Sequence, residues 1–319
     1  MRSTAALLAI ASVLGCGGPS CPAVDLSAAR DFTTSPAILT QPTFTRLLAL
    51  SDIHGGYDRM ALLLKRWGLI AAVPSSPAMA EWSGADATLV VIGDLIDKGT
   101  QSIEVVELLR ALQISASASG GHVVVTLGNH EAEFLANPYN SSADAFDSEL
   151  SANGLDPCII ATTDERGTWL RSRPFGARVG GWFFAHAGQT HRRTVADLEV
   201  ALQAALIASD FRDPEVTGAD SLLEAREWWT ASDATAKDNA DALSVAHIVF
   251  GHTPDALGPR GAIATGENGL LFRIDVGMSP AVDDSAGALL EISHAGSVEV
   301  ATELRADGVK RELWRGPAL

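Results

Sequence analysis

"HVVVTLGNHE", residues 122–131, closes an apolar, β-rich run on Asn129, His130 and Glu131. Gly128 and Asn129 alone would suit a turn for backbone reasons, so the polar cluster gains meaning only from how the other runs end. "RLLALSDIH" closes on Asp52 and His54, "ATLVVIGDLID" on Asp94 and Asp97, "GWFFAHAG" on His186 and "AHIVFGHTP" on His252. Five runs therefore deliver a carboxylate, amide or imidazole at the carboxyl end of an expected strand. In open α/β sheets successive loops converge at that edge and helix N-termini follow them. With only oxygen and nitrogen donors, such a convergence predicts a metal centre.

Working outward, the β-rich runs cover residues 46–51, 87–92, 122–127, 177–185, 246–250, 270–275, 288–292 and 297–301, and helix-period segments cover 57–67, 102–112, 143–152 and 194–208. Strand and helix alternate in the first half, which predicts parallel pairing. The hairpin-like strands at the end predict a mixed or second sheet. The class is α/β, with no internal repeat.

At 319 residues and 47% apolar, the chain can bury a substantial core. Its net charge of −16 excludes wrapping a nucleic acid, whose affinity comes from Lys and Arg neutralising phosphates. Any phosphate bound here needs local positive charge, which a metal supplies. Arg2 precedes "AALLAIASVLG", too short for the roughly 20 residues of a spanning helix and shaped like a secretory leader. "VLGC" then reads as a lipobox, so residues 1–16 are a signal peptide ending at a lipidated Cys16; an ordinary leader with an incidental Cys is the alternative. We expect an exported, envelope or periplasmic protein whose sole membrane contact is that anchor. Residues 17–44, rich in Gly, Pro, Ser and Thr, read as a flexible tether, 45–305 as the catalytic domain and 306–319 as a tail. Lipidation of Cys16 leaves Cys21 and Cys158 as a disulfide or as two free thiols, and no C-x-x-C spacing offers a thiolate zinc site.

The donor set specifies the chemistry. Asp52 and Asp94 bring two negative charges, while His54, Asn129, His186 and His252 are neutral, so a pair of divalent cations leaves a positive surplus for a phosphate dianion. If Asp94 bridges cations about 3.5–4 Å apart, a shared water can be deprotonated near neutral pH and attack phosphorus in line. Nitrogen and oxygen ligands accept Mn, Fe or Zn, with selectivity set by geometry and supply. Gly93, Gly128 and Gly251 precede ligands where a missing Cβ permits close backbone approach.

In order, "SDIHGGYD", "GDLIDKG", "GNHE", "FFAHAG" and "FGHTP" resemble the blocks of the calcineurin-like metallophosphoesterase superfamily. The later "RIDVGMS" resembles more specifically the bacterial Shewanella-like branch of the Ser/Thr phosphoprotein phosphatases. Coverage is about residues 47–292. The resemblance implies a four-layer αββα sandwich of two mixed sheets flanked by helices, and hydrolysis of a phosphorylated substrate. It implies Asp52, His54 and Asp94 on one metal and Asp94, Asn129, His186 and His252 on the other. His130 would be the general acid, oriented by Asp97, and Glu131 would brace the loop. Imidazole suits that work, since an alkoxide leaving group needs a proton donor.

One departure stands out. The phosphatases carry Arg after the second Asp of "GDxxDRG" where this chain has Lys98, a point charge in place of a planar fork. Arg226 stands roughly where the branch has another phosphate-binding Arg, and Arg192 and Arg193 are further candidates. The segment 210–241, with nine acids and three bases, reads as a solvated insertion, and Trp228 and Trp229 as packing residues. His122 and His247 stand at strand starts, away from the ligand edge. "HEAEF" lacks the second His of H-E-x-x-H, and neither a G-x-S-x-G elbow nor a P-loop occurs. The alternatives to a protein-phosphatase-like enzyme are a nucleotide or dinucleoside polyphosphate hydrolase, and a metal-stabilised binding protein without turnover.

Overall fold

The computed structural model describes Cys21 and residues 30–318. The leader and lipobox lie outside the described residues. Strands in chain order are β1 (Ile38–Gln41), β2 (Arg46–Ser51), β3 (Thr88–Ile92), β4 (His122–Thr126), β5 (Gly176–Val179), β6 (Trp182–Ala185), β7 (His247–Phe250), β8 (Ala264–Gly266), β9 (Leu271–Arg273), β10 (Ala288–Ala295), β11 (Val298–Arg305) and β12 (Lys310–Pro317). The α-helices are α1 (Tyr57–Arg66), α2 (Ser102–Ala118), α3 (Asn129–Ala136), α4 (Asp144–Ala152), α5 (Pro157–Thr162), α6 (Glu165–Arg171), α7 (Val195–Ser209), α8 (Pro214–Thr217) and α9 (Asp233–Leu243).

The strands form two six-stranded mixed sheets, ordered β1-β5-β6-β7-β9-β8 and β12-β11-β10-β2-β3-β4. Alternating side chains of one strand serve two cores. Leu47 and Ala49 of β2 meet Trp182 and Phe184 of β6 in the layer between the sheets, while Leu48 and Leu50 turn outward to the core that holds Met60 and Leu64 of α1 and Leu109 of α2. Burial on both faces explains why these strands read as unbroken apolar runs. Each fully buried Leu or Phe contributes about 1.5–3 kcal/mol. Helix α1 is one-sided by spacing: Met60, Leu63 and Leu64 are buried while Leu62, Lys65 and Arg66 are exposed.

Three expectations need correction. The run 177–185 is a hairpin, β5 and β6 pairing antiparallel around Gly180-Gly181, with Gly180 at φ +56°; the Gly-Gly pair supplies the tight turn. Within the expected tether, Ile38–Gln41 is a strand pairing parallel with β5, and buried Arg30 donates to the carbonyls of Ser35, Pro36, Arg171 and Arg173. The strand's partners are more than 100 residues away, so local composition could not show it. Within the expected tail, Lys310–Pro317 forms β12 against β11. Cys21 and Cys158 are joined by a disulfide, with Cα atoms 5.5 Å apart.

Register sets up the site. Ser51 of β2 lies level with Ile92 of β3 and Thr126 of β4, so Asp52, Asp94 and Asn129 leave one sheet at the same height. In the other sheet Phe184, Val249 and Phe272 are level, so His186, Gly251 and Ile274 emerge together.

Candidate metal centre

The loops leaving those strands are held in strained backbone. Asp52, His54, Asp94, Asp97 and His252 all have positive φ, between 45° and 67°, a region costly for residues with a Cβ. Such outliers persist only where the surroundings enforce them. Here Asp52 N–H donates to Gly93 O and His54 N–H to Asp94 O, stitching two loops together. Two glycines allow the approach: a Cβ on Gly93 would meet Gly128 N at 2.2 Å, and one on Gly251 would meet Asp52 Oδ2 at 2.1 Å. Glu131 braces the same loops as the sequence led us to expect. Fully buried, its carboxylate accepts the N–H groups of Asp94, Leu95, Ile96 and Gly128.

The donor atoms converge. His186 Nε2 lies 3.0 Å from Asn129 Oδ1, 3.1 Å from His252 Nδ1 and 3.2 Å from Asp94 Oδ1. The opposite ring nitrogens fix the tautomers, because His186 Nδ1–H donates to Ile92 O and His252 Nε2–H donates to Glu224 O. Neutral imidazoles in these tautomers aim two lone pairs, an amide oxygen and a carboxylate oxygen at one point. Such an arrangement is repulsive unless a positive charge sits among them, so the residues present fit a cation. Beside them His54 donates Nδ1–H to Ile96 O and turns Nε2 to within 3.3 Å of Asp94 Oδ2. His54, Asp94 and His130 offer ligand atoms within 4.8 Å of one another, and so do Asp94, His186 and His252. Asp94 belongs to both groups.

The electrostatics make the same point. Burial alone would lower the His186 pKa, but the Asp94 and Asp52 carboxylates outweigh it and raise it to about 10. Their field draws a positive charge to Nε2, and a proton and a divalent cation compete for that place. His252 is pushed down to about 2 by burial and by His186, which keeps it a neutral donor. Burial works against ionisation of Asp94 too, yet His186, His130 and His54 hold it well below the usual carboxylate range.

His130 has a separate setting. Its Nδ1 faces Ser142 O at 2.7 Å and Asp97 Oδ2 at 3.1 Å, leaving Nε2 3.9 Å from Asp94 Oδ2. Asp97 is itself fixed by the N–H groups of Ala145 and Phe146, at the start of α4. Burial opposes the charged imidazole, but Asp94 and Asp97 lift its pKa to about 9.

Asp52 differs from the expected arrangement: it joins neither compact group, and its carboxylate accepts the N–H of His252 at 3.1 and 3.2 Å. Asp275, within "RIDVGMS", is a site residue that no strand-end pattern marked. It follows Ile274 at the height of Gly251 and is buried; its carboxylate accepts Gly277 N–H, and it raises the pKa of Asp52, second only to burial. Burial lifts Asp275 itself to about 6. Asp94 adds to that rise, while the Gly277 N–H, Arg273 and His186 oppose it.

Lys98 is exposed and places Nζ 3.3 Å from His54 Nε2. Arg226 reaches His252 O at 3.5 Å, whereas Arg192 and Arg193 are paired with Asp238 and Glu215. The segment 210–241 is no solvated insertion. Phe211, Val216, Leu222, Leu223 and Trp228 are buried, Trp228 Nε1 donates to Ala187 O, and Glu224 O holds His252. Its charged residues mask an apolar framework that packs over the centre.

Residues 45–256 match the calcineurin-like phosphoesterase family. An uncharacterized protein of Schizosaccharomyces pombe is 26% identical over 268 residues, 78% of each chain. The Shewanella-like protein phosphatase 2 of Arabidopsis thaliana is 30% identical over 86 residues, 27% of this chain and 20% of that one. The symmetrical bis(5'-nucleosyl)-tetraphosphatase of Methylococcus capsulatus is 29% identical over 146 residues, 44% of this chain and 42% of that one. Among solved structures, the cold-active protein-tyrosine phosphatase of a psychrophilic Shewanella species has the same fold, with a TM-score of 0.69 at 22% identity over 87% of this chain and 82% of that one.

Proposed function

The chain belongs to the calcineurin-like phosphoesterase family and is a hydrolase of phosphoric esters, and from that premise we propose that it is a dinuclear, metal-dependent phosphomonoesterase of the protein-phosphatase kind. The observation that carries this reading is the meeting of His252 Nδ1, Asn129 Oδ1 and Asp94 Oδ1 within 3.0–3.2 Å of His186 Nε2. In our proposal those four side chains hold one divalent cation, and His54 and Asp94, with Asp52 close behind, hold a second. Bound there, the cations supply charge for a phosphate dianion and make a water acidic enough to become a nucleophile.

The remaining work falls to the chain itself. His130 gives the Nε2 proton to the leaving oxygen, and Asp97 and Ser142 O fix its ring through Nδ1. Burial opposes the charged ring, and Asp94 and Asp97 favour it. Lys98 and Arg226, exposed on either side of the donor cluster, steady the phosphate oxygens. The loops that Glu131 ties together hold Asp94 in its strained geometry, so little rearrangement is needed on binding.

The test is hydrolysis of a small chromogenic phosphomonoester by purified protein with Mn²⁺, Fe²⁺ or Zn²⁺ and with chelator. Metal-dependent turnover is expected, with Mn²⁺ sufficient. Failure to hydrolyse that ester and a diester with any of the three would instead make the protein a metal-stabilised binding protein. Similarity to the Methylococcus tetraphosphatase favours a second reading, hydrolysis of nucleoside polyphosphates, and a panel of phosphopeptides against dinucleoside polyphosphates separates the two. We further propose export and lipid anchoring at Cys16. The Cys21–Cys158 disulfide supports an oxidising compartment, and labelling of the wild type but not Cys16→Ser with a fatty-acid probe tests the anchor.

A further inference from the structure

One face of α1 carries Arg59, Leu62, Lys65 and Arg66, at the i, i+3, i+6 and i+7 spacing of a single stripe. The helix starts three residues after His54, so this stripe runs away from the metal centre. Two cavities follow it. The first, about 250 Å³, lies between Gly55, Asp58, Arg59 and Lys98, against the loop that carries His54. The second, about 430 Å³, is lined by Arg59, Leu62, Lys65 and Arg66. Arg59 lines both. Four bases and one acid, Asp58, thus border a groove in a chain with 16 more acids than bases.

The state of those bases matters more than their number. Across this acidic surface Arg110, Arg192, Arg193 and Lys237 each pair with a carboxylate. Arg59 is likewise held by Asp284 and by the carbonyls of Met278 and Ser285. Lys65, Arg66 and Lys98 have no carboxylate partner among the described residues; Arg66 donates to the Asp307 carbonyl and packs against Gly308. Between them Leu62 is 58% exposed, an apolar contact set among cations. Neither cavity has an aromatic lining residue, so a nucleobase would find no ring to stack on.

Resting on the phosphatase reading above, we propose that this groove binds an acidic peptide segment next to the phosphorylated residue, so that the enzyme prefers phosphoproteins with Asp or Glu near the phosphoester. Arg59 and Arg66 stand two helical turns apart, about 10 Å. An extended peptide covers that distance in about three residues. The preferred acids therefore fall within a window of about three residues, on one side of the phosphoresidue. Exposed charge pairs are individually weak and are screened by salt. The preference is therefore graded, and it fades as ionic strength rises.

The experiment compares kcat/KM of the metal-loaded enzyme on phosphopeptides that differ only in carrying Glu or Gln at those positions, before or after the phosphoresidue. At low salt one Glu series is favoured about tenfold, a preference lost in Lys65→Glu/Arg66→Glu and reduced in Lys65→Gln/Arg66→Gln. Turnover of the small chromogenic ester, which does not extend to Lys65 or Arg66, reports folding and metal loading of each variant and tests the underlying phosphatase reading on its own. Equal rates on Glu and Gln peptides, or a preference that survives charge reversal, would overturn the proposal. So would charge reversal that impairs hydrolysis of dinucleoside polyphosphates and leaves the peptides untouched.

Discussion

Strand β7 carries a histidine near each end, and the two live in opposite worlds. His252, just past its carboxyl end, sits at φ +65°, with Nδ1 aimed at His186 and its backbone N–H given to Asp52. His247, at its start, stacks on Trp182 at 3.8 Å between centroids, meets the edge of Trp314, and satisfies one nitrogen with Gly269 O. Both are buried. One end gathers several donor atoms around one point; the other packs an imidazole as an aromatic ring. Burial of a polar side chain is therefore no sign of function. What marks the functional end is several lone pairs meeting in strained backbone.

That contrast breaks if the carboxyl-end cluster proves dispensable. Asp94→Asn is the hardest test, because Asp94 faces His54, His130 and His186 at once. We expect kcat/KM on a phosphomonoester to fall by about 10³-fold or more, since a metal centre supplies several kcal/mol of charge stabilisation. Metal content by plasma emission should fall with it. Near-normal activity would remove the metal centre from the chemistry.

His130→Ala comes next and sharpens the division within the cluster. His130 lies in a potential ligand group with His54 and Asp94, yet its Nδ1 is held by Asp97 and Ser142. As a proton donor its loss should lower turnover about 10²–10⁴-fold with metal content nearly intact. Loss of a metal in parallel would make it a ligand instead.

Glu131→Gln asks whether the loop geometry or only its donors matter. Its carboxylate accepts four backbone N–H groups, including that of Asp94. Glutamine turns one acceptor into a donor facing donors, which should cost about 2–4 kcal/mol by urea unfolding of the metal-free protein. Unchanged stability would mean that the loops hold themselves.

The same division explains what could be read in advance. Metal chemistry demands particular side-chain atoms at strand ends, so Asp52, Asp94, Asn129 and His252 stood out, and the apolar runs before them placed β2, β3, β4 and β7. Glu224 was illegible because it acts through its backbone carbonyl, which any residue could offer. Asp275 was hidden because its height depends on the pairing of β7 with β9, a long-range register. Strand β1 was hidden for the same reason: Ile38 and Ala37 owe their places to β5 and to the Glu199 carboxylate far along the chain.

The smallest effect lies at the quiet end of β7. Burial lowers the His247 pKa from 6.5 to about 4, with the Gly269 hydrogen bond only partly opposing it. A histidine depressed in the folded state binds fewer protons there than when unfolded. Its contribution to stability is therefore complete above pH 6.5 and is lost as pH falls from 6.5 towards 4. The loss is about 2–4 kcal/mol. Other groups titrate over the same range, among them Asp275 with its pKa raised to about 6, so a single profile cannot isolate the imidazole. The difference between wild type and His247→Phe can. Phenylalanine keeps a ring against Trp182 and gives up one hydrogen bond, a cost of about 1 kcal/mol that does not change with pH. On unfolding the chelated proteins in urea at pH 7.5 and 4.5, the variant should start less stable and lose less, while its activity at neutral pH stays within about twofold of wild type, since nothing at that end meets substrate. Parallel losses in the two proteins would mean that His247 charges freely in the fold, and the aromatic end of β7 would no longer be the dry counterpart of the metal end.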